Sequence, residues 1–202
     1  EMIKAAKELD IEVIELQHGT FSKYHLGYSF PSSNNTLYLP DKFYVWNDFW
    51  KELISFPITS ENVIVYPSKY MMLELEKYKD VIKVRNQMLI VGQAGITEKI
   101  IDLINKNLNY FKEFKIILKL HPHEYSVKKT KEILNLEKVL DFTIVKDVDL
   151  YSLFAQSEFQ AGVFSTALYE GLEFKCKTIL FNLPGIEYME RFIEINKIKI
   201  IN

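Results

Sequence analysis

The stretch FKIILKLHPHE, residues 114–124, decides how this chain is read. Ile116, Ile117 and Leu118 form a short apolar run that Leu120 continues. A run this short and rich in β-branched residues predicts a strand buried on both faces, as in a parallel sheet. Pro122 stops it, because proline has no N–H for the ladder. His121 is therefore expected at the carboxyl end of a parallel strand, the edge where open α/β sheets bind ligands. Taken alone, the segment leaves a second reading open, a surface histidine in a loop.

Outward from this strand, the second half of the chain alternates. Apolar runs at 87–91, 114–120, 142–145, 159–164 and 177–181 predict strands. Helical spacing predicts helices over 97–108, 127–136, 150–155, 165–174 and 187–196, with Asp149 as the N-cap of the third. Such alternation predicts an α/β fold, a doubly wound parallel sheet with helices on both faces. Right-handed crossovers then put every strand-to-helix loop on one edge. Gly92-Gln93, His121-Pro122, residues 162–166 and Pro184-Gly185 would share one crevice.

The first part reads less regularly. A helix end over 2–9 leads to strands at 11–16, 41–46 and 62–66. Helices are expected from a cap at Asn47 or Asp48 through Leu53, and over 70–78. Residues 21–40 make a long loop with Gly27, Pro31 and Pro40. Its Tyr24, His25, Tyr28 and Phe30 suggest that it packs on something. The polar segment 79–86 sets the domain division, 1–80 and 81–202. Glu1 falls in mid-helix, which predicts an upstream segment.

Composition narrows the function classes. The 202 residues are 48% hydrophobic and 26% charged, ordinary for a globular protein. A net charge of −2 supplies no basic field for nucleic acid. Lys128, Lys129 and Lys131 read as a solvated helix face. Cys176 is the one cysteine, so no disulfide framework exists and a reducing, cytoplasmic setting is expected. No apolar run has the length to cross a bilayer, and no signal peptide is evident. Asn34-Asn35-Thr36 fits a glycosylation acceptor, a match frequent by chance.

Chemistry is expected at the crevice. Ser165 and Thr166 stand at a strand-to-helix turn, where free N–H groups and the dipole favour an anion such as phosphate. Simple N-capping by Ser165 is the competing account. Glu170, about one turn on, could reach a sugar hydroxyl pair or be a solvated glutamate. His121 could donate a proton or hydrogen bond to a leaving group, and Lys119 alternates with it along the strand. His18, after the first strand, is the base candidate, with a loop-anchoring role equally open. Asp147 and Asp149 echo a D-x-D metal motif but are discounted, since Asp149 has a capping job. No zinc spacing, Walker A loop, G-x-G-x-x-G or nucleophile elbow occurs, and no metal or other cofactor is expected.

These residues together resemble the bacterial sialyltransferase and capsular-polysaccharide glycosyltransferase group, of the two-domain GT-B type. Lys119-Leu120-His121-Pro122 looks like its histidine-proline motif, and Ser165-Thr166 with Glu170-Gly171 like its serine/threonine motif. Gln17-His18-Gly19-Thr20, with Lys23, is similar to a segment of the related CDP-glycerol polymerases. The resemblance covers most of the chain in order and rough spacing. It implies a nucleotide-activated sugar donor (CMP-, CDP- or UDP-linked) and a glycan acceptor. His121, Pro122, Ser165, Thr166, Lys119 and Gln93 would serve donor phosphate, Glu170 the ribose or base, and His18 the acceptor. Only the last part of the acceptor domain is expected here, and the group's acidic base motif is not evident. Peripheral membrane association at the inner face and homo-oligomerisation stay open. So do two rival functions, a nucleotide-sugar epimerase of the same fold and a non-catalytic module binding a glycan or protein.

Overall fold

The structure, a computed structural model, describes residues 1–25, 27–28, 38–126 and 130–202. Leu26, Phe30, Pro31, the Asn34-Asn35-Thr36 triplet, Lys128 and Lys129 lie outside the described residues. The chain divides into two compact units, Glu1–Met72 and Leu73–Asn202. The sequence division at 80/81 is a few residues later.

The first unit runs α1 (Met2–Glu8), β1 (Ile14–Leu16), β2 (Lys42–Val45), α2 (Asp48–Leu53), a 3-10 turn at Ser60–Asn62 and β3 (Val63–Val65). The strands form a parallel sheet in the order β1-β2-β3. Asn47 caps α2, its side chain accepting the Trp50 N–H at 3.3 Å. The core is aromatic. The Phe21 ring lies 5.1 Å from Trp50 and 5.5 Å from Phe56, edge to face. Tyr28 lies 4.8 Å from Phe43, and its hydroxyl donates to Glu15. The described part of the long loop thus packs on β2, with Tyr28 buried and Tyr24 exposed.

Helix α3 (Lys69–Lys77) spans the division between units. The second unit continues β4 (Val84–Val91), α4 (Thr97–Lys106), α5 (Leu108–Phe111), β5 (Lys115–Lys119), a one-turn 3-10 helix at Pro122–Glu124, α6 (Lys131–Val139), β6 (Asp141–Val145), α7 (Leu150–Gln156) and β7 (Ser157–Gly162). Then follow α8 (Thr166–Glu173), β8 (Lys177–Phe181), a 3-10 turn at Ile186–Met189, α9 (Glu190–Asn196) and β9 (Lys199–Ile201). The sheet order is β6-β5-β4-β7-β8-β9, and every strand pair is parallel. This is the doubly wound arrangement. The chain begins at the centre, winds out through β5 and β6, then crosses back to β7.

Both faces of this sheet are covered. Met88, Ile90, Ile116, Leu118, Phe142 and Ala161 pack with Ile100, Ile104, Phe111 and Leu136 in one cluster. The alternate residues face the other helices. Gln160 there donates from Nε2 to Leu168 O at 2.7 Å and to Thr178 Oγ1 at 2.8 Å. Gly171 lets α8 sit against it, since a Cβ there would lie 2.0 Å from Gln160 Oε1 and 2.7 Å from Phe154 Cε1.

Several boundaries differ from expectation, each for a local reason. β4 starts at Val84 rather than residue 87. Its polar first residues include an irregularity with Asn86 at φ 58, its N–H held by Glu158 at 2.8 Å. Just before it, the Lys83 ammonium donates to Phe154 O at 3.1 Å and Ser157 O at 2.5 Å, closing the carboxyl end of α7. The helix expected over 97–108 breaks at Asn107, whose Nδ2 donates to Leu103 O and Asn202 O. The helix expected from 127 is observed from Lys131, with Thr130 as its cap. β7 ends at Gly162, two residues early, because Val163 and Phe164 turn toward α8. The first turn of the helix expected over 187–196 is 3-10. β9 had no sequence signal, being three residues long.

Candidate ligand-binding edge

The winding reverses between β4 and β7, and at such a switch point the two flanking loops diverge and leave a crevice at the carboxyl edge. Residues 92–96 leave β4 there, and residues 163–165 leave β7. His121 follows β5, the neighbour of β4 on the far side. Pro184 and Gly185 follow β8, the neighbour of β7. The four segments named from sequence therefore share one edge of one sheet.

Each segment is built tightly. Gly92 donates its N–H to Lys119 O at 2.8 Å, and a Cβ on it would lie 2.6 Å from that oxygen. Only glycine lets the two loops approach so closely. Thr97 Oγ1 accepts the Gln93 N–H at 2.9 Å and donates to Glu124 at 3.0 Å. Gln93 Oε1 is buried without a hydrogen-bond partner among the described residues. On the far side, Gly185 sits at φ 103 with the Phe164 ring against its α-carbon.

Ser165 is the N-cap of α8, extended at φ −158 and ψ 143, its Oγ accepting the Ala167 N–H at 3.3 Å. Its hydroxyl proton can still be donated, beside the positive end of the helix. Capping and anion binding are thus compatible, and Ser165 need not choose between them. Thr166 is the first residue of the helix.

Glu170 lies one turn on, half-buried, where the Tyr151 hydroxyl donates to its Oε1 at 3.3 Å. Burial raises its pKa above the ordinary glutamate value, and the Tyr151 bond opposes that only in part. The solvated-glutamate reading does not describe this carboxyl. Tyr151 itself stacks on Phe174, with ring centroids 5.8 Å apart.

His121 is half-buried at the head of the 3-10 turn, with Pro122 as the first residue of that turn. Its Nδ1 accepts the His123 N–H at 3.3 Å. A neutral imidazole has one donor and one acceptor nitrogen, so the proton sits on Nε2. Lys119 is on the same strand but differently engaged. Its ammonium donates to the Tyr125 hydroxyl at 3.0 Å and to Lys146 O, across the β5 and β6 ends.

His18 belongs to the first unit, exposed just beyond the carboxyl end of β1. The buried Gln17 before it anchors the turn. Its Nε2 donates to Gly19 O at 3.0 Å, and its Oε1 accepts the Trp46 N–H at 3.0 Å. Among the described residues, no group of three or more His, Cys, Asp or Glu is placed to hold a metal ion. Among them, too, no helix is long and apolar enough to cross a membrane. Asp149 caps α7, accepting the Ser152 N–H at 3.0 Å.

Sequence reading missed Thr97 and Tyr151, and it gave Glu124, in the loop beyond His121, little weight. Glu124 had a readable sign, the three-residue spacing of a capping box after His121. Tyr151 and Glu170 are 19 residues apart, and no local pattern links them.

A parallel α/β protein with a reversing sheet and an anion-suited helix start at the switch point is the class that this geometry defines. No protein-family model and no curated protein sequence matches the chain. Among solved structures it is similar to the S. aureus MnaA–UDP co-structure, at 16% identity and TM-score 0.49, over 88% of this chain and 52% of that one. It is also similar to the wall teichoic acid polymerase TagF, at 14% identity and TM-score 0.47, over 85% of this chain and 49% of that one. A third likeness is to the C-terminal CMP-Kdo binding domain of WaaA from Acinetobacter baumannii, at 12% identity and TM-score 0.41, over 66% of this chain and 81% of that domain. The chain spans about half the length of the first two.

Proposed function

We propose that the chain is part of a GT-B-like glycosyltransferase, its second unit the donor-binding domain, that moves a sugar from a CMP-, CDP- or UDP-linked donor to a glycan acceptor. Surface or capsular polysaccharide synthesis at the cytoplasmic side is its setting in this reading. The observation that carries the proposal is the switch point between β4 and β7, with the Ser165-capped start of α8 on one side and His121 one strand away on the other.

In the reaction, an acceptor hydroxyl oxygen attacks the anomeric carbon of the donor sugar. The bond from that carbon to the phosphate oxygen breaks, and the nucleotide leaves with the electron pair. The hydroxyl proton passes to a base, for which His18 is the candidate by its motif. Charge develops on the phosphate. Nε2–H of His121, the Ser165 hydroxyl and the N-terminus of α8 supply donors for it, and such donors act strongest where water is excluded. Glu170, held by Tyr151, accepts from ribose hydroxyls. Lys119 acts at one remove, since its ammonium is bonded to Tyr125 and Lys146.

The test is a thermal-shift series with CMP, CDP, UDP, GDP and their sugar conjugates. It is run on the wild type, His121→Ala and Ser165→Ala. A ligand that binds only the folded state raises the melting point by mass action, about 2.7 kcal/mol at a hundredfold excess over Kd. One nucleotide should raise the wild-type melting point, and both variants should lose most of that rise. No rise with any nucleotide, or equal rises in all three proteins, overturns the reading. Product formed from donor alone, without acceptor, would mark an epimerase instead.

A further inference from the structure

Glu124 is 92% buried, at 8% exposure, and no cation among the described residues lies within ion-pair distance of it. A carboxylate in that position is costly unless hydrogen bonds satisfy it. Two do, both at Oε2. The His121 backbone N–H donates at 3.1 Å, and Thr97 Oγ1 donates at 3.0 Å. Thr97 in turn accepts the Gln93 N–H at 2.9 Å. The bonds form one chain, Gln93 to Thr97 to Glu124 to His121. It crosses from the β4–α4 loop to the turn after β5, where Gly92 and Lys119 O are already in contact.

We infer that Glu124 is the positioning residue of this crevice: it fixes the His121 ring with its proton on Nε2 and ties the His121 turn to the Gln93 loop. The inference rests on the donor-site reading for its effect on ligand affinity, but not for its effect on the ring. The logic runs through the capping box. Glu124 accepts the N–H of His121, the N-cap of the one-turn helix, and His121 Nδ1 accepts the N–H of His123 within it. The three-residue helix has only two backbone bonds of its own, Glu124 N–H to His121 O at 2.8 Å and Tyr125 N–H to Pro122 O at 3.3 Å, and a single turn is marginal in water. Without Glu124 the turn opens, the bond at 3.3 Å to Nδ1 lapses, and the ring is free to carry its proton on either nitrogen. Gln93, at the other end of the chain, carries the buried and unpaired Oε1, so the same network also sets an acceptor at the edge. A carboxylate is suited to this task, because one oxygen accepts both donors at once. Leucine in its place has no acceptor and leaves both donors unpaired.

The experiment uses the full chain with ¹⁵N-labelled histidine. The His121 ring is observed at about pH 8.5, well above the ordinary imidazole pKa of about 6.5. The wild type should show an unprotonated Nδ1 and a protonated Nε2. Glu124→Leu should give averaged ring signals and weaken UDP, CDP or CMP binding about tenfold, the loss of one good hydrogen bond. Thr97→Val removes one donor and the Gln93 link while keeping the shape, and should loosen the ring less. Thr97→Ser, which keeps the hydroxyl, should restore wild-type signals. Glu124→Leu and Thr97→Val with wild-type ring signals overturn the inference. If Glu124→Leu does not fold, the Thr97 pair decides by itself. If the wild type binds no nucleotide, the donor-site reading fails, while the ring signals still test the role of Glu124.

Discussion

β4 in the second unit and β1 in the first are both apolar strands of parallel sheets, and their fates differ. β4 is buried continuously from Gln87 to Val91, with Met88, Leu89 and Ile90 at zero exposure. β1 leaves Ile14 42% and Leu16 60% exposed, and α1 beside it in sequence buries none of its residues. The residue types are alike. What differs is the place in the strand order. β4 starts at the centre of a six-stranded sheet, with neighbours on both edges and helices on both faces. β1 is the edge of a three-stranded one. In the first unit burial gathers instead on β2 and the aromatic rings over it, where Phe43, Val45 and Trp50 are nearly inaccessible.

The largest test of that contrast is a pair of truncations followed by urea unfolding. Met88→Ala should cost about 2–5 kcal/mol, as buried methionines do. Leu16→Ala should cost within about 0.5 kcal/mol, as exposed sites do. Similar costs at the two sites would break the comparison.

A smaller effect sharpens it on the covered side of the six-stranded sheet. Gly171→Ala should improve helix propensity in α8 by about 1 kcal/mol. The added Cβ meets Gln160 and Phe154 at 2.0 and 2.7 Å, and overpacking of that kind costs about 1–3 kcal/mol. A net loss of stability is expected, because the glutamine is itself pinned by two hydrogen bonds. A net gain would mean that the sheet and α8 are less tightly joined than their contact indicates.

The smallest effect concerns pH. Burial raises the Glu170 pKa, so the folded protein keeps that proton at pH values where the unfolded chain has lost it. Stability then falls as pH rises from the ordinary glutamate range through the folded pKa. Glu170→Gln has no proton to lose and should remove this part of the decline. Melting curves of both proteins across that range check it, and parallel curves would show that Glu170 is solvated like a surface residue of the first unit. The same variant should weaken ribose recognition if the proposed function holds.

Much of the second unit was legible because its signals are local. The run ending at His121-Pro122, the hydroxyl pair at Ser165-Thr166, the cap at Asp149 and the strand–helix alternation are all readable within a few residues. What was not legible lies in pairings across distance. Lys119 was expected to face the ligand by strand alternation, yet a long flexible side chain follows its best acceptors, and these are Tyr125 and Lys146. Lys83 looked like part of a polar linker, yet it closes α7 through two carbonyls more than 70 residues away. The start of β4 was lost for a similar reason, since its polar first residues are held by Glu158 and the neighbouring strand rather than by apolar burial.

By itself, the sequence determined the fold class and the one edge of the sheet to which the strand-to-helix loops go. Periodicity and chain handedness are properties of short segments, and they force the strand-to-helix loops to one side. Only the tertiary structure decided the strand order, and with it the switch point between β4 and β7. It also decided which polar groups meet there: Thr97 with Glu124, and Tyr151 with Glu170. Such meetings depend on the packing of segments far apart in the chain, and a hydrogen bond of 3 Å has no counterpart in spacing along it.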